Sequence, residues 1–408
     1  MIFISDVQLE KLLEAPTGTI VRGTFNMKTA QGAVVTVETG APDSFVHPAL
    51  GRTDITDKGM PLVFLRDNSV LQVTNPFGDE IPHEVYSAKD FYKRNPFDPR
   101  IVEYLNGRRI LVVGLGSVGA EFSVALAQAG IASIAGTDPD NLEVHNCMRH
   151  MLGTEYIGWN KALAMSEYLK TACPGSTFVP LPKDLFSGDR DELKDFVDSF
   201  KPHAIVAVTD SKGVQALAQM LAIYAKALFF SMGCYSNAIE GEVFIRLPKS
   251  PLPDTDPVGY ACHEELHPPG KGERPSTAYD YSNDAPGRYA GEPALGHLIR
   301  QKVYTAVTLF IHALMYESSL EVSSGRVTMQ HLSRGAQYAR LGGPYVTTTE
   351  ETGEVKTLDL EKPWQVKWCR LRRHTDCTTC GDGVDVNTAL YPANESDTGV
   401  LDAPEWDV

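Results

Sequence analysis

Residues 109–140 constrain this chain more than any other stretch. The apolar run Arg109-Ile110-Leu111-Val112-Val113 has the continuous hydrophobicity of a strand covered on both faces. It meets the glycine turn Gly114-Leu115-Gly116-Ser117-Val118-Gly119. An apolar helix follows from Ala120 to about Ala129, then a second strand ending in Thr137-Asp138-Pro139-Asp140. Glycines here permit a tight turn and a close approach of backbone to phosphate, and the helix start offers unpaired N–H groups and a positive dipole end. Asp138, nineteen residues after Gly119, stands where a strand tip can accept hydrogen bonds from a ribose. That order predicts a nucleotide site. The turn alone favours a dinucleotide, NAD or FAD, over ATP.

The pattern around the turn predicts the fold class. From 109 to about 248 the chain alternates strand and helix, with strands at Ser176–Leu181, Ala204–Val208 and Ala227–Ser231. Helices are expected at roughly 160–171, 189–199 and 211–225, which gives a Rossmann-like α/β fold, a mostly parallel sheet with helices on both faces. A polar Asn237–Leu247 segment reads as one more strand, antiparallel. Residues 1–85 carry short alternating segments punctuated by Gly and Pro, a small β-rich domain, and 86–108 read as a connecting helix and linker. Within the main domain at 109–391, residues 249–293 form a long crossover loop rich in Pro, Gly, Asp and Tyr. Helix resumes at about 294–317, followed by a C-terminal β-meander. The tail at 392–408 holds five acidic residues and no basic one, a composition that favours disorder.

Bulk properties exclude several classes. A net charge of −15 argues against a nucleic-acid binder relying on phosphate neutralisation. The one basic cluster, Lys367, Arg370, Arg372 and Arg373, fits a solvated strand face. No run of eighteen apolar residues occurs, so no membrane span is expected. The N-terminus lacks a signal peptide's basic and apolar regions. Seven cysteines, an odd number and most of them scattered, fit a reduced, cytoplasmic setting better than a disulfide framework.

The residues beyond the turn reverse the choice of nucleotide. Asp140, Asn146, Arg149 and Lys161 follow Asp138, and Thr209-Asp210 ends a later strand. Strand ends of such a sheet point to the ligand crevice. Two or three carboxylates, an arginine and a lysine therefore converge on the phosphates. Hydride transfer has no use for that set; phosphate chemistry uses carboxylates for Mg²⁺ and cations to offset developing charge. Singly, Asp138 or Asp140 reads equally as a turn residue, Lys161 as a solvated helix residue and Arg149 as a surface ion-pair partner. The joint spacing carries the inference.

With these motifs, together with Asn146-Cys147-Met148-Arg149, Gly158 to Lys161, Val208-Thr209-Asp210 and Glu240-Gly241-Glu242-Val243, the chain resembles the ThiF/MoeB/HesA and ubiquitin-activating enzymes over about residues 90–320. That resemblance implies ATP-dependent adenylation of the C-terminal carboxylate of a ubiquitin-like or sulfur-carrier protein. Gly114, Gly116 and Gly119 would cradle phosphate, Asp138 would hold the ribose, and Asp140 and Asp210 would face Mg²⁺. Asn146, Arg149 and Lys161 would line the triphosphate. It further implies a homodimer, with Arg94 or Arg100 reaching the partner subunit's ATP, and a conjugating enzyme as a downstream partner.

Cys377-Thr378-Thr379-Cys380 has zinc-knuckle spacing. The family often carries two such pairs; here Cys262 is present but Glu265 stands three positions later. A Zn²⁺ site would draw its fourth ligand from Cys369, His374, His263 or His267, and a metal-free remnant or a redox pair remain alternatives. Cys262 is also the one cysteine of the 249–293 loop, where a thioester-forming residue would be sought. Cys234, Cys147 and Cys173 read as structural. Four other readings stay open: a peptide-adenylating enzyme of the microcin type, adenylation of a small-molecule or tRNA-linked carboxylate, an NAD-dependent oxidoreductase, and a non-catalytic scaffold half of a heterodimer.

Overall fold

The computed structural model describes residues 2–5, 9–10, 13–14, 19–23, 33–34, 60–67, 70–74, 78–80, 82–86, 92–95, 97–184, 190–235, 238, 240–252, 258–260, 294–320, 325–342, 365–371 and 377. The chain divides into two units, Met1–Asn95 and Pro96–Val408. In the first, β1 (Ile2–Ser5) lies between and parallel to β3 (Ala33–Val34) and β6 (His83–Tyr86). Separately, β4 (Met60–Asp67) pairs antiparallel with β2 (Thr19–Gly23) and β5 (Val70–Thr74). The acidic tail at 392–408 and most of the 249–293 loop lie outside the described residues.

The second unit is built on the strand that follows α1 (Pro99–Asn106). In β7 (Arg109–Val113) successive side chains enter opposite layers: Ile110 and Val112 join one apolar cluster, Leu111 and Val113 the other, all essentially inaccessible. This period-two division makes an uninterrupted apolar run the right sequence for a doubly covered strand. Its sheet has eight strands in the order β14-β13-β12-β11-β10-β7-β8-β9. Five are parallel: β8 (Ser133–Thr137), β9 (Thr177–Leu181), β10 (Ala204–Ala207) and β11 (Leu228–Tyr235) with β7. Three add antiparallel: β12 (Glu240–Arg246), β13 (Ala336–Leu341) and β14 (Val366–Arg370).

α2 (Ser117–Ala129), α3 (Lys161–Ala172) and α6 (Gly296–Glu317) cover one face, and α4 (Arg190–Phe200) and α5 (Lys212–Tyr224) the other. Phe122, Phe230 and Phe310 lock α2, the sheet and α6 together with ring centroids 5.3–5.6 Å apart. Glu121, buried on α2, is answered from α6 by Arg300 at 3.1 Å and the Tyr304 hydroxyl at 2.5 Å. That hydrogen bond to the carboxylate, with some desolvation, pushes the Tyr304 phenol up to about 12.

The Rossmann-like reading holds, with one difference of detail: a helix not expected from sequence, α7 (Arg326–Ser333), precedes β13. β12, β13 and β14 follow one another as an antiparallel meander that forms the edge of the main sheet, β13 pairing with β12 along Gly241–Phe244 and burying all six of its residues.

Candidate functional site

The sheet reverses direction between β7 and β10. From β7 the chain runs outward through β8 to β9, then returns to lay β10 on β7's other side. Such a switch point opens a crevice at the carboxyl ends of the two strands, and the glycine turn follows one of them while Thr209-Asp210 follows the other.

The three glycines do three different things. Gly114 has φ +88°, and a Cβ there would stand 3.1–3.2 Å from Thr209, so it supplies both the left-handed turn and the contact that draws β10's end to β7's. Gly119 lets α2 cross its own turn: a Cβ on it would fall 1.9 Å from the Gly114 carbonyl oxygen. Gly116 is the residue at which α2 begins. A Cβ on it would meet nothing within 4 Å, and no side chain caps the helix there. The helix start therefore presents unanswered N–H groups to open space, the arrangement a phosphate needs.

Asp138 braces this turn. Its Oδ2 accepts the Leu115 N–H at 2.7 Å and its Oδ1 the Asp140 N–H at 2.9 Å. The carboxyl is only 8% exposed. Desolvation pushes its pKa up, while the Lys161 ammonium and the two N–H donors pull it down. Lys161 Nζ lies 2.8 Å from Asp140 Oδ2 and 3.6 Å from Asp138 Oδ1, its side chain 10% exposed against 67% for Asp140. The lysine is thus sunk between two carboxylates at the mouth of the turn instead of reaching into solvent.

Asn160 is responsible for that placement, and in the sequence it is only one position of the Gly158 to Lys161 stretch. Its Oδ1 caps α3 by accepting the Ala162 and Leu163 N–H groups, and its Nδ2 donates to the Asp138 and Asp140 carbonyls at 3.0 and 3.2 Å. An asparagine immediately ahead of a helical pattern is a cap signal. Its second grip, on the loop twenty residues earlier, leaves no trace in the sequence.

His150 was also missed. Its ring is buried, with Nε2 2.9 Å from the Leu115 carbonyl oxygen and Nδ1 accepting the Leu152 N–H at 3.2 Å. These partners assign the proton to Nε2. The imidazole thereby ties the 143–150 loop to the glycine turn and brings the adjacent Arg149, half-buried under the start of α6, to the same edge; a Cβ on Gly296 would stand 3.2 Å from Arg149 Cα. Asn146 shapes that loop, its Oδ1 accepting the Glu143 N–H at 3.0 Å. Burial holds the His150 pKa down at about 4. The neutral ring is the folded form, so the unfolded chain gains the extra proton as pH falls below its ordinary value near 6.5. Stability is complete above that pH and is lost between about 6.5 and 4, by about 2–3 kcal/mol from this residue. His150→Gln should show a correspondingly smaller difference between urea midpoints at pH 7 and pH 4.5. Equal acid losses in both proteins would contradict this account.

Asp210 is exposed on the β10–α5 turn, which is held by Gln215 Nε2 donating to the Thr209 carbonyl at 2.6 Å and by Ser211 capping α5. Asp140 and Asp210 thus offer hard carboxylate oxygens, the donor type Mg²⁺ takes. Glu240 and Glu242, on β12 two strands from β10, are buried against Arg340 and the Tyr338 hydroxyl.

Of the arginines proposed to act in trans, Arg94 belongs to the first unit, and Arg100 is exposed and paired with its own helix-capping Asp98 at 3.0 Å. Cys262 and Cys380 lie outside the described residues. Cys377 is buried in the same apolar cluster as Tyr260. Among the described residues no three metal-ligating side chains cluster, and no helix is long and apolar enough to cross a membrane.

Sheet, switch point and glycine turn define a Rossmann-like nucleotide-binding domain. The chain belongs to the ThiF family, whose model matches residues 93–333, more than half of its length. It is 28% identical over 160 residues to the uncharacterized protein y4qC of Sinorhizobium fredii, covering 37% of this chain and 27% of that protein. Over 99 residues it is 36% identical to the ATP-dependent ubiquitin transferase-like protein Cap2 of Pseudomonas aeruginosa, covering 23% and 18%. Over 166 residues it is 28% identical to the adenylyltransferase and sulfurtransferase uba4 of Aspergillus clavatus, covering 40% and 32%. The chain thus spans about a third or less of these relatives' lengths. Among solved structures, E. coli MccB with AMPCPP and MccA matches with a TM-score of 0.48 at 14% identity, over 72% of this chain and 74% of that one.

Proposed function

We propose that the protein uses ATP to adenylate a carboxylate, that of the C-terminus of a ubiquitin-like or sulfur-carrier protein. The observation that carries this reading is the convergence of Lys161, Asp140 and the Thr209-Asp210 turn on the open N-terminus of α2. A dinucleotide oxidoreductase would need the turn and Asp138 but has no work for Lys161 or Asp210.

In the proposed reaction a carboxylate oxygen of the carrier attacks the α-phosphorus of ATP, the bond to the β-phosphate oxygen breaks, and pyrophosphate leaves. A carboxylate is already a nucleophile, so no general base is required and the rate depends on positioning and charge. The α2 N–H groups would hold phosphate, and Lys161 and Arg149 would offset charge on the triphosphate. Lys161, buried between carboxylates, is pre-positioned for this, and in this reading it exchanges part of its pairing with Asp140 for phosphate oxygen. Asp140 and Asp210 would hold Mg²⁺, which when bound neutralises charge on the leaving pyrophosphate. Asp138, with both oxygens engaged by backbone, keeps acceptor capacity for a ribose hydroxyl, since a carboxylate has about four lone-pair sites.

The same reading has a homodimer acting in the cytoplasm. Where the adenylate passes on to a thiol, Cys262 is the proposed acceptor, with a conjugating enzyme downstream. A zinc site using Cys262, Cys377 and Cys380 would compete with that role.

ATP–pyrophosphate exchange measured with carrier proteins ending in glycine, and in parallel with short peptides, tests the function. Exchange that requires a carrier supports it, exchange that requires a peptide replaces it with the microcin-type reaction, and tight nicotinamide binding without exchange sinks it. A thiol-sensitive carrier adduct that disappears in Cys262→Ala is the expected signature of the transfer step.

A further inference from the structure

The opposite edge of the same sheet carries a second concentration of charge that the adenylation site does not use. Arg109 opens β7, His203 stands before β10 and Lys226 before β11, so all three lie at the amino ends of parallel strands. That is roughly 13 Å of strand away from the glycine turn. With Arg108 and Lys201 they line a cleft of about 630 Å³, floored in part by Tyr104 and Tyr224. Four Arg and Lys side chains in one cleft are anomalous in a chain of net charge −15.

The cations are built in, and at a cost. α5 ends in a Schellman motif, with the Lys226 N–H donating to the Ile223 carbonyl and the Ala227 N–H to that of Ala222. The position after such a helix is left-handed, and Lys226 occupies it at φ +52°. α2 ends in the same pair of hydrogen bonds, Gly130 to Ala127 and Ile131 to Leu126, but there glycine takes the left-handed place, at φ +107°. Lys201, just past α4, is likewise left-handed at φ +50°. A lysine anywhere in the last helical turn would serve the helix dipole without backbone strain. Two lysines in the strained position, from two helices, opening on one cleft, call for another reason.

The remaining groups are oriented toward the same use. Arg109 Nε donates to the Phe200 and Lys201 carbonyls at 2.6 and 3.0 Å and so fixes the chain that presents Lys201. Arg108 lies over the Tyr104 ring at 4.2 Å and bonds the Tyr104 carbonyl through Nε, which leaves its two terminal nitrogens without a hydrogen-bond partner among the described residues. His203 Nδ1 accepts the Arg109 N–H at 3.1 Å, so its proton is on Nε2, an available donor. Two carboxylates also line the cleft. Asp198 is already engaged by the Tyr224 hydroxyl and by Lys194, and Glu317 is the other. Positive charge stays in excess.

We propose that this cleft is a second ligand site, for a small molecule bearing two or more phosphate groups, held by Arg108, Lys201, Lys226 and His203 Nε2–H. Guanidinium forks and lysine point charges are the donors such groups take, and the cleft has the size of a small-molecule site. The proposal does not depend on the adenylation reading.

The test titrates the full chain calorimetrically with inorganic tripolyphosphate at fixed free Mg²⁺, and separately with citrate, in wild type and in Asp210→Ala, whose cleft is intact. A saturable site of one per chain is expected in both proteins, weakening as salt is raised. In the double variant Lys201→Gly with Lys226→Gly, built on Asp210→Ala, the affinity of that site should fall at least tenfold. Glycine suits both backbone positions, so this variant should also melt higher than its parent. If it melts lower, Lys201→Gln with Lys226→Gln carries the same expectation. Absence of the site in Asp210→Ala, affinity unchanged in the cleft variants, or preference for citrate would each overturn the proposal.

Discussion

Replacing Asp210 or Arg149 by alanine should reduce ATP–pyrophosphate exchange about 10²–10³-fold, the scale of losing one charge-stabilising group from a phosphoryl or acyl transfer site. The fold should survive both changes. Asp210 is exposed, and the turn that presents it is held through Gln215 and the Ser211 cap, which alanine at 210 leaves in place. Arg149 is positioned by backbone neighbours, His150 on one side and the Gly296 contact on the other, so the loop keeps its anchors without the guanidinium. Melting midpoints near that of wild type with exchange lost would support the assignment. Exchange near the wild-type rate in either variant would remove the phosphate chemistry from these residues.

Gly119→Ala should do the reverse and destroy the framework before the chemistry. The added methyl would sit 1.9 Å from the Gly114 carbonyl oxygen and 2.9 Å from Val208 Cγ2. The first obstacle is backbone and cannot rotate aside, so α2 must lift from β7 and β10. Both are strands of the core, and overpacking there costs about 3 kcal/mol or more. The midpoint in urea should fall accordingly and nucleotide binding should vanish with it. Gly116→Ala makes the internal control: no atom lies within 4 Å of its Cβ, so stability should change by less than about 1 kcal/mol while phosphate loses its closest approach. Equal stability of the two variants would falsify the packing argument.

Much of this architecture was legible because it is local. The apolar run of β7, the turn glycines and the alternation of strand with helix each follow from a few consecutive residues and a period of two or 3.6. Helix ends agreed to within a residue or two where caps were present, as at Ser211 and Asn160. α7 escaped notice because its eight residues bury only Thr328 and Leu332, too short a stripe to establish a period. His150 and the second role of Asn160 escaped for a different reason. Each bonds a backbone carbonyl, and a carbonyl has no identity that a sequence can display. Asp138 was expected at the ribose; its first partners are the Leu115 and Asp140 N–H groups, also backbone.

The amino-acid sequence by itself determined the doubly wound α/β class, the glycine turn and the set of residue types that phosphate chemistry requires, since these are properties of composition and spacing along the chain. Only the tertiary structure decided that Thr209 packs against Gly114, that Lys161 is sunk between Asp138 and Asp140, and that Arg108, Lys201 and Lys226 share a cleft on the far edge. The physical reason is the return of β10 to β7. That single long-range pairing carries Thr209 against Gly114 at one end of the sheet and His203 against Arg109 at the other. Residues roughly ninety positions apart along the chain thereby become neighbours at both edges.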